Sequence, residues 1–392
     1  MKISGIVFAK NEWGLIAVSI SHALLNHVDE VYVVDHNSTD QTHNGLKHLK
    51  HLWGERLHII TITDIGFFQE EATNTVIRLT KKSKPDWIYV FDADEFLLVD
   101  PSTSLHAILS NIDKRHKSIR YSLYNYISTR DFNDLSLDNY QKIIHKSVPN
   151  QTLKEAPVNS DYKSNKKQQN SKTTAELIYD GEATFFDIPF PPKVITRFSD
   201  FLQLASGAHF AIDLSGDING KIIKEIEAVH FVYPTKKRLQ NKANHGEFLI
   251  RNNYSVNLGW QTQLVYKIQQ EGRLDWFWEK HSISDKPTSA ELLPAHIIDR
   301  RFSKIISRTT DFLENGFQSK DLSMIGNTTI ESSRGNETTI PISEMISLVK
   351  NLQKQNVALS ESIYKILQEK LLYRLLKIKK YTRRQIRKRS IF

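Results

Sequence analysis

Cysteine is absent from all 392 residues of the chain. Its absence excludes disulfide bonds, thiolate metal sites and a cysteine nucleophile. Long apolar runs are absent as well: no stretch of about 18 apolar residues occurs, so no segment is expected to span a membrane as a helix. The apolar start, residues 1–10, is too short for the core of a signal peptide and is expected to form a first core strand.

Acidic residues are missing from one end of the chain. Residues 370–392 contain ten lysines or arginines and no acid, whereas the net charge of the whole chain is +9. Subtracting these ten charges leaves a body near −1, so the basicity belongs to the tail. A pI near 9.3 would suggest a nucleic-acid-binding protein. A nearly neutral body without an interleaved aromatic and basic face argues against that interpretation.

Strand-like and helix-like segments alternate over the first hundred residues. The predicted strands are 3–9, 30–34, 57–62 and 87–91, and the predicted helices between them are 11–26, 39–52 and 69–82. This alternation predicts βαβ units and a mostly parallel sheet with right-handed crossovers. Ligands of such sheets bind at the carboxyl ends of the strands.

Three polar clusters follow these predicted strands, namely residues 10–12, 35–37 and 92–95. We expect them to build one site. Lys10, Asn11 and Glu12 are candidates for nucleotide binding; the alternative is a helix cap by Asn11, with Glu12 favourable in the first turn. Asp35 and Asn37 belong to the second cluster. The Asp35 carboxylate could accept hydrogen bonds from a base or a ribose; the alternative is helix capping by Ser38 or Thr39, and the two roles are compatible.

The sequence Asp92-Ala93-Asp94 is the sharpest signal in the chain. A buried strand delivers two carboxylates, one residue apart, that can share one hard divalent cation directly or through water. Mg²⁺ or Mn²⁺ held there could bridge the two phosphates of a nucleotide diphosphate. The alternative interpretation is that Asp92 and Asp94 only cap a helix or solvate the end of a strand.

Residues 9–12, 33–40 and 86–96 together resemble the family 2 glycosyltransferases of the GT-A fold, and more narrowly the bacterial branch that reads DADEF after its fourth strand. Residues 206–210 and 229–234 resemble that branch's downstream blocks. The resemblance implies an α/β GT-A-like fold, a nucleotide-sugar donor, Mn²⁺ or Mg²⁺, and transfer to a hydroxyl acceptor. It also implies a hexosyltransferase type of activity in bacterial surface glycan assembly.

The same resemblance assigns roles to single residues. Asp35 matches the base-reading carboxylate, Asp92 and Asp94 match the metal motif, and His230 matches a late metal-ligating histidine, with His209 as its rival. Family members carry Ala-Arg-Asn in the third helix, where this chain has Ala72-Thr73-Asn74. Lys10 and Arg78 are the two residues that could replace the missing arginine.

An inverting transfer needs a carboxylate that deprotonates the acceptor hydroxyl. By position after the metal motif the candidates are Asp187 and Glu247, and by proximity to the metal Glu95. Ordinary surface or capping roles are the alternative for each. A nucleotidyltransferase or another nucleotide-diphosphate enzyme would share the sheet and the carboxylates. It predicts a glycine-rich loop after the first strand, where this chain has only Gly14.

The predicted domains are a GT-A-like unit over residues 1–285 with a polar insertion at 150–174, a helical segment and linker over 286–340, and a C-terminal helical extension over 341–392. Within that extension, a heptad pattern over 341–366 predicts either a coiled coil that forms a homodimer or an amphipathic helix. The tail, 370–392, suits an anionic membrane surface. We therefore expect a cytoplasmic enzyme, peripheral at the inner membrane face, that acts on a glycan or lipid-linked acceptor and binds no nucleic acid.

Overall fold

A computed structural model describes residues 1–62, 69–132, 135–153, 172–214, 216–254, 259–284 and 295–316, without the side chains of residues 206 and 217. Residues 317–340 of the expected helical segment and linker, the heptad segment at 341–366 and the basic tail at 370–392 lie outside the described residues. So does most of the polar insertion, over residues 154–171.

Thirteen strands and ten α-helices are found in the described part of the chain. The strands are β1 (Ile3–Ala9), β2 (Glu30–His36), β3 (Leu57–Ile62), β4 (Trp87–Asp92), β5 (Glu95–Val99), β6 (Ser118–Ile127), β7 (His145–Ser147), β8 (Lys193–Arg197), β9 (Gln203–Leu204), β10 (Ala211–Asp213), β11 (Gly216–Asp217), β12 (Ile222–His230) and β13 (His296–Ile298). The helices are α1 (Trp13–Asn26), α2 (Thr42–Trp53), α3 (Gln69–Leu79), α4 (Leu105–Ser110), α5 (Leu137–Tyr140), α6 (Thr174–Asp180), α7 (Lys236–Arg251), α8 (Trp260–Gln270), α9 (Leu274–Lys280) and α10 (Arg301–Gly316).

The main sheet has ten strands, in the order β13-β7-β6-β8-β4-β1-β2-β3, with β12 paired to both β5 and β6. Strands β4, β1, β2 and β3 run parallel, as the alternating sequence predicts. Beyond β4 the sheet is mixed, because β8 enters antiparallel between β4 and β6. The predicted α/β fold is therefore confirmed, while the parallel arrangement is concentrated in the first hundred residues.

Strands β1, β2 and β4 are buried on both faces, which explains why they are mainly apolar, whereas the edge strand β3 is only partly buried. In β1, Ile3, Ile6 and Val7 are all fully buried. Helix α10 joins the same core, since Phe302, Ile306 and Leu313 are also fully buried. The core that includes the first strand thus extends to residues near 313.

A second apolar core forms around α6, α7, α8 and α9. Helices α7, α8 and α9 follow one another along the chain. Gly272 has a φ of 70°, in the left-handed region, between α8 and α9. Gly246 allows α7 to cross α8 closely, because a Cβ atom there would lie 2.0 Å from the carbonyl oxygen of Thr262. This crossing places one face of α7 over the carboxyl edge of the parallel strands.

Candidate active site

A cavity of about 810 Å³ opens at the carboxyl ends of β1, β2 and β4. This volume lies within the range of about 300–1,000 Å³ that is common for small-molecule sites. Most of its polar lining comes from five places, which are the end of β1, the end of β2, the turn after β4, the end of β12 and helix α7. These lining residues include Lys10, Asn11, Glu12, His36, Asp40, Asp92, Asp94, His230, Lys237, Arg238, Asn241, Lys242 and His245.

Asp92, at the end of β4, is held by the buried ammonium of Lys193. Lys193 Nζ lies 2.7 Å from Asp92 Oδ2 and 2.6 Å from Glu95 Oε1, and the lysine side chain is only 1% exposed. Gln69 Nε2 donates to the other Asp92 oxygen at 3.2 Å. Burial alone would raise the pKa of Asp92, but the contact with Lys193 lowers it below its ordinary value.

Glu95 lies behind the turn, away from the cavity. Its side chain is 1% exposed, and Oε2 accepts a hydrogen bond from the Asp92 amide at 3.3 Å. Burial raises the pKa of Glu95 despite the attraction of Lys193, and the nearby Asp92 charge raises it further. One buried ammonium is thus shared by the buried Glu95 carboxyl and the partly exposed Asp92 carboxylate, and these contacts hold the turn in place.

Asp94 points into the cavity between a lysine and a histidine. Lys242 Nζ lies 3.2 Å from Asp94 Oδ2, and His230 Nε2 lies 3.8 Å from Asp94 Oδ1. Burial would raise the pKa of Asp94, but Lys242 first and His230 second lower it. Asp94 is therefore ionised at neutral pH and has one oxygen directed toward an imidazole.

Two strand pairings of β12 place this imidazole. His230 is opposite Glu95 in the antiparallel pair with β5 and opposite Asn125 in the parallel pair with β6. His230 Nδ1 lies 2.8 Å from Asn125 Oδ1. Because this oxygen only accepts, Nδ1 carries the proton and the lone pair of Nε2 faces Asp94. Burial lowers the pKa of His230 to about 4, so the ring is neutral at pH 7.

Asp94 and His230 fit a divalent metal. A neutral imidazole whose other nitrogen is fixed by a hydrogen bond is the usual form of a metal-ligating histidine. Asp94 Oδ1 and His230 Nε2 lie 3.8 Å apart, close enough that both could serve as ligands of one divalent ion. Among the described residues, no group of three or more His, Asp or Glu side chains is arranged around one point. A metal there would take its remaining ligands from water and from a bound phosphate, as Mg²⁺ commonly does.

The end of β1 is tied to the end of β2 by Asn11. Its side-chain oxygen accepts a hydrogen bond from the Thr39 backbone amide at 2.7 Å, and its backbone amide donates to Ser38 Oγ at 3.0 Å. Glu12 pairs with Arg238 of α7, which also donates to the Asn11 carbonyl oxygen at 3.3 Å. Lys10, Asn11 and Glu12 all line the cavity. Of the two candidate replacements for the missing arginine, Lys10 lines it and Arg78 does not.

Asp35 and Asn37 are placed differently from their neighbours at the end of β2. Asp35 is 1% exposed; it accepts from the Ser38 amide at 3.2 Å and from His43 Nδ1 at 3.0 Å. Asn37 is exposed, with a φ of 52°. Neither belongs to the described cavity lining, where His36 and Asp40 represent this strand end.

The three candidate bases and His209 are also outside the described cavity lining. Asp187 caps a short 3₁₀ turn by accepting from the Thr184 amide at 2.6 Å. Glu247 pairs with Arg251 at 2.6 Å on the surface side of α7, and Glu95 is buried against Lys193. His209 Nδ1 lies 3.3 Å from the Pro192 carbonyl oxygen, and burial lowers its pKa to about 4. The structure therefore brings His230, and not His209, to Asp94.

Helix α7 contributes cavity residues that the sequence did not predict as site residues. Arg238, Asn241, Lys242 and His245 recur at helical spacing and line one wall. That spacing, read directly after the 229–234 block, is the signal that could have identified them. They face the carboxylates of the turn after β4, so the cavity has an acidic side and a basic side.

Residues 4–172 match the family model described as Glycosyl transferase family 2, which covers less than half of the chain. This match supports a glycosyltransferase that uses a nucleotide sugar. Comparison with curated proteins finds no match. Among the described residues, no helix is both long enough and apolar enough to cross a membrane.

Several solved structures are distantly similar. TarS 1–349 of S. aureus is 15% identical with a TM-score of 0.32, and the match covers 63% of this chain and 64% of that chain, which is less than two thirds. TarS 1–349 in complex with UDP is 14% identical with a TM-score of 0.34, and the match covers 71% of this chain and 74% of that chain. The mannosyltransferase PcManGT from Pyrobaculum calidifontis, in complex with GDP-Man and Mn²⁺, is 14% identical with a TM-score of 0.30, and the match covers 70% of this chain and 72% of that chain. Likenesses this distant carry no argument about activity.

Proposed function

We propose that this chain is a metal-dependent glycosyltransferase that moves a sugar from a nucleoside-diphosphate sugar to a hydroxyl acceptor. The observation that carries the proposal is the cavity at the strand ends. Within it, Asp94 and the neutral His230 face each other opposite the cations of Lys10, Arg238 and Lys242. A diphosphate leaving group needs that combination of a metal site and nearby cations.

The chemical requirement is to stabilise charge on the departing nucleoside diphosphate. Asp94 and His230 would hold Mn²⁺ or Mg²⁺, and the metal supplies Lewis-acid stabilisation of the phosphate oxygens when bound. Cationic side chains that line a partly dry cavity would stabilise the same developing charge. Asp92 lines the same cavity and is held in place by Lys193 and Gln69, which engage its two oxygens.

A screen of nucleotides by thermal unfolding tests the proposal. UDP, GDP and dTDP, their sugar conjugates, and the nucleoside triphosphates are each measured with and without Mn²⁺. A ligand that binds only the native state at 100 times its Kd stabilises it by about 2.7 kcal/mol. We expect one diphosphate and its sugar conjugate to raise the melting temperature, and more so with Mn²⁺. A response to triphosphates alone would favour a nucleotidyltransferase, and no response at all would contradict both functions.

We further propose that the acceptor is a glycan or lipid-linked molecule in bacterial surface glycan assembly, and that the enzyme works at the cytoplasmic face of an anionic membrane. The support is the sequence resemblance together with the ten uncompensated cations of residues 370–392. Such a cluster is attracted to anionic lipid without any spanning helix.

A further inference from the structure

Lys242 occupies an unusual position for a residue in a metal-dependent site. Its Nζ lies 3.2 Å from Asp94 Oδ2, and its side chain is 20% exposed. The same ammonium lies 5.9 Å from the centroid of the Tyr233 ring. Lys242 therefore already neutralises the carboxylate that would bind the metal.

Two further carboxylates that line the cavity, those of Glu12 and Asp92, are neutralised in the same way. Glu12 pairs with Arg238, and Asp92 pairs with Lys193. A divalent ion arriving alone thus meets acids whose charge is already compensated, and Lys242 repels it at short range. A nucleoside diphosphate arriving alone meets an ammonium that is engaged with Asp94. Each ligand therefore binds more easily after the other.

We propose that Lys242 is an internal cation that holds Asp94 until a nucleoside diphosphate binds, then pairs with the diphosphate and leaves Asp94 to the metal. This inference rests on the proposed function. A lysine suits the task because its compact ammonium sits on a flexible four-carbon stem, so only the side chain has to move. The binding of metal and nucleotide is then positively coupled, and the coupling is reciprocal.

Calorimetry on the full chain tests the proposal. Mn²⁺ alone, UDP or GDP alone, and each nucleotide with Mn²⁺ are titrated into the wild type and into Lys242→Met. Removing the competing cation should tighten the binding of Mn²⁺ alone by about tenfold, while binding of the nucleotide alone should weaken by about tenfold. The two ligands therefore change in opposite directions, which a merely structural defect would not produce.

Two further variants control the experiment. Lys236→Met removes a lysine from the start of the same helix, where it pairs with Asp275 at 2.8 Å on the surface, and should change neither affinity. Lys242→Arg keeps the charge and should keep the weak binding of Mn²⁺ alone. If Lys242→Met has a reduced melting temperature, the titrations use Lys242→Gln instead, because that variant removes the same charge.

The outcomes separate this inference from the proposed function. Mn²⁺ affinity that is unchanged, weakened or unmeasurable in Lys242→Met would overturn the role of Lys242. Failure of UDP and GDP to bind the wild type under any condition would instead contradict the proposed function. The titration with Mn²⁺ alone would still decide whether Lys242 competes for Asp94.

Discussion

Lys193 is the residue on which the geometry of the site depends most. Its ammonium is buried between Asp92 and Glu95, with contacts of 2.7 and 2.6 Å. A buried charge is costly unless it is paired, so each member of this group depends on the others. Lys193 does not belong to the cavity lining, and we assign it a positioning role for Asp92.

Replacing Lys193 by Met should therefore destabilise the protein by about 3–5 kcal/mol, because the buried Glu95 and the partly exposed Asp92 lose their shared partner. Urea unfolding at pH 8 measures the effect. Adding Glu95→Gln should recover at least about 1 kcal/mol, since it removes one of the unpaired acids. Lys81→Met removes a surface partner of Asp200 and should cost under about 1 kcal/mol. If Lys193→Met lowers the free energy of unfolding as little as Lys81→Met does, the positioning role is contradicted.

At this scale the sequence predicts the residues that lie directly after a strand. Lys10, Glu12, Asp92 and Asp94 reach the cavity because parallel strands end at one edge. Asp187 and Glu247 could not be judged from the sequence, since their place depends on which way a short turn and a helix face. Which acid acts as base stays a prediction.

Among the elements, β1 to β4 and their helices were predictable because each is a local pattern of apolar period and length. The sequence does not show where strands β8 and β12 lie in the sheet, because their pairings join residues about 100 positions apart. Those pairings bring Lys193 to Asp92 and His230 to Asn125. Local sequence patterns likewise do not predict that β8 pairs antiparallel with β4 and β6.

Helix α7 illustrates the same limit. Its segment is predictably helical, but its basic face reaches the cavity only through the close crossing with α8 at Gly246. Sequence spacing shows that Arg238, Lys242 and His245 share a face, and only the tertiary packing shows what that face meets. The basic side of the cavity is therefore a property of packing.

For the whole molecule, the charge is divided unequally along the sequence. The body carries about −1 and the tail, residues 370–392, carries ten cations against a whole-chain charge of +9. Each lysine or arginine close to an anionic bilayer contributes about 1 kcal/mol. Ten such charges can hold a protein at the surface even when several lie too far away to count.

Co-sedimentation with vesicles tests this proposal. The full chain should bind vesicles containing anionic lipid and should be released by added salt, because salt screens the attraction. A chain ending at residue 369 should remain in the supernatant while keeping the nucleotide response of the full chain. Equal binding to neutral vesicles, or binding that survives the deletion, would show that the tail is not the anchor.

The central claim is that Asp94 holds the metal–diphosphate complex, and the most direct measurement is calorimetric titration of Asp94→Asn with UDP or GDP in the presence of Mn²⁺. Asp200→Asn is the matched control, because Asp200 lies at the surface, outside the cavity lining, where it forms an ion pair with Lys81. We expect Asp94→Asn to bind at least about tenfold more weakly and Asp200→Asn to bind as the wild type does. Equal affinity in the wild type and Asp94→Asn would contradict the account.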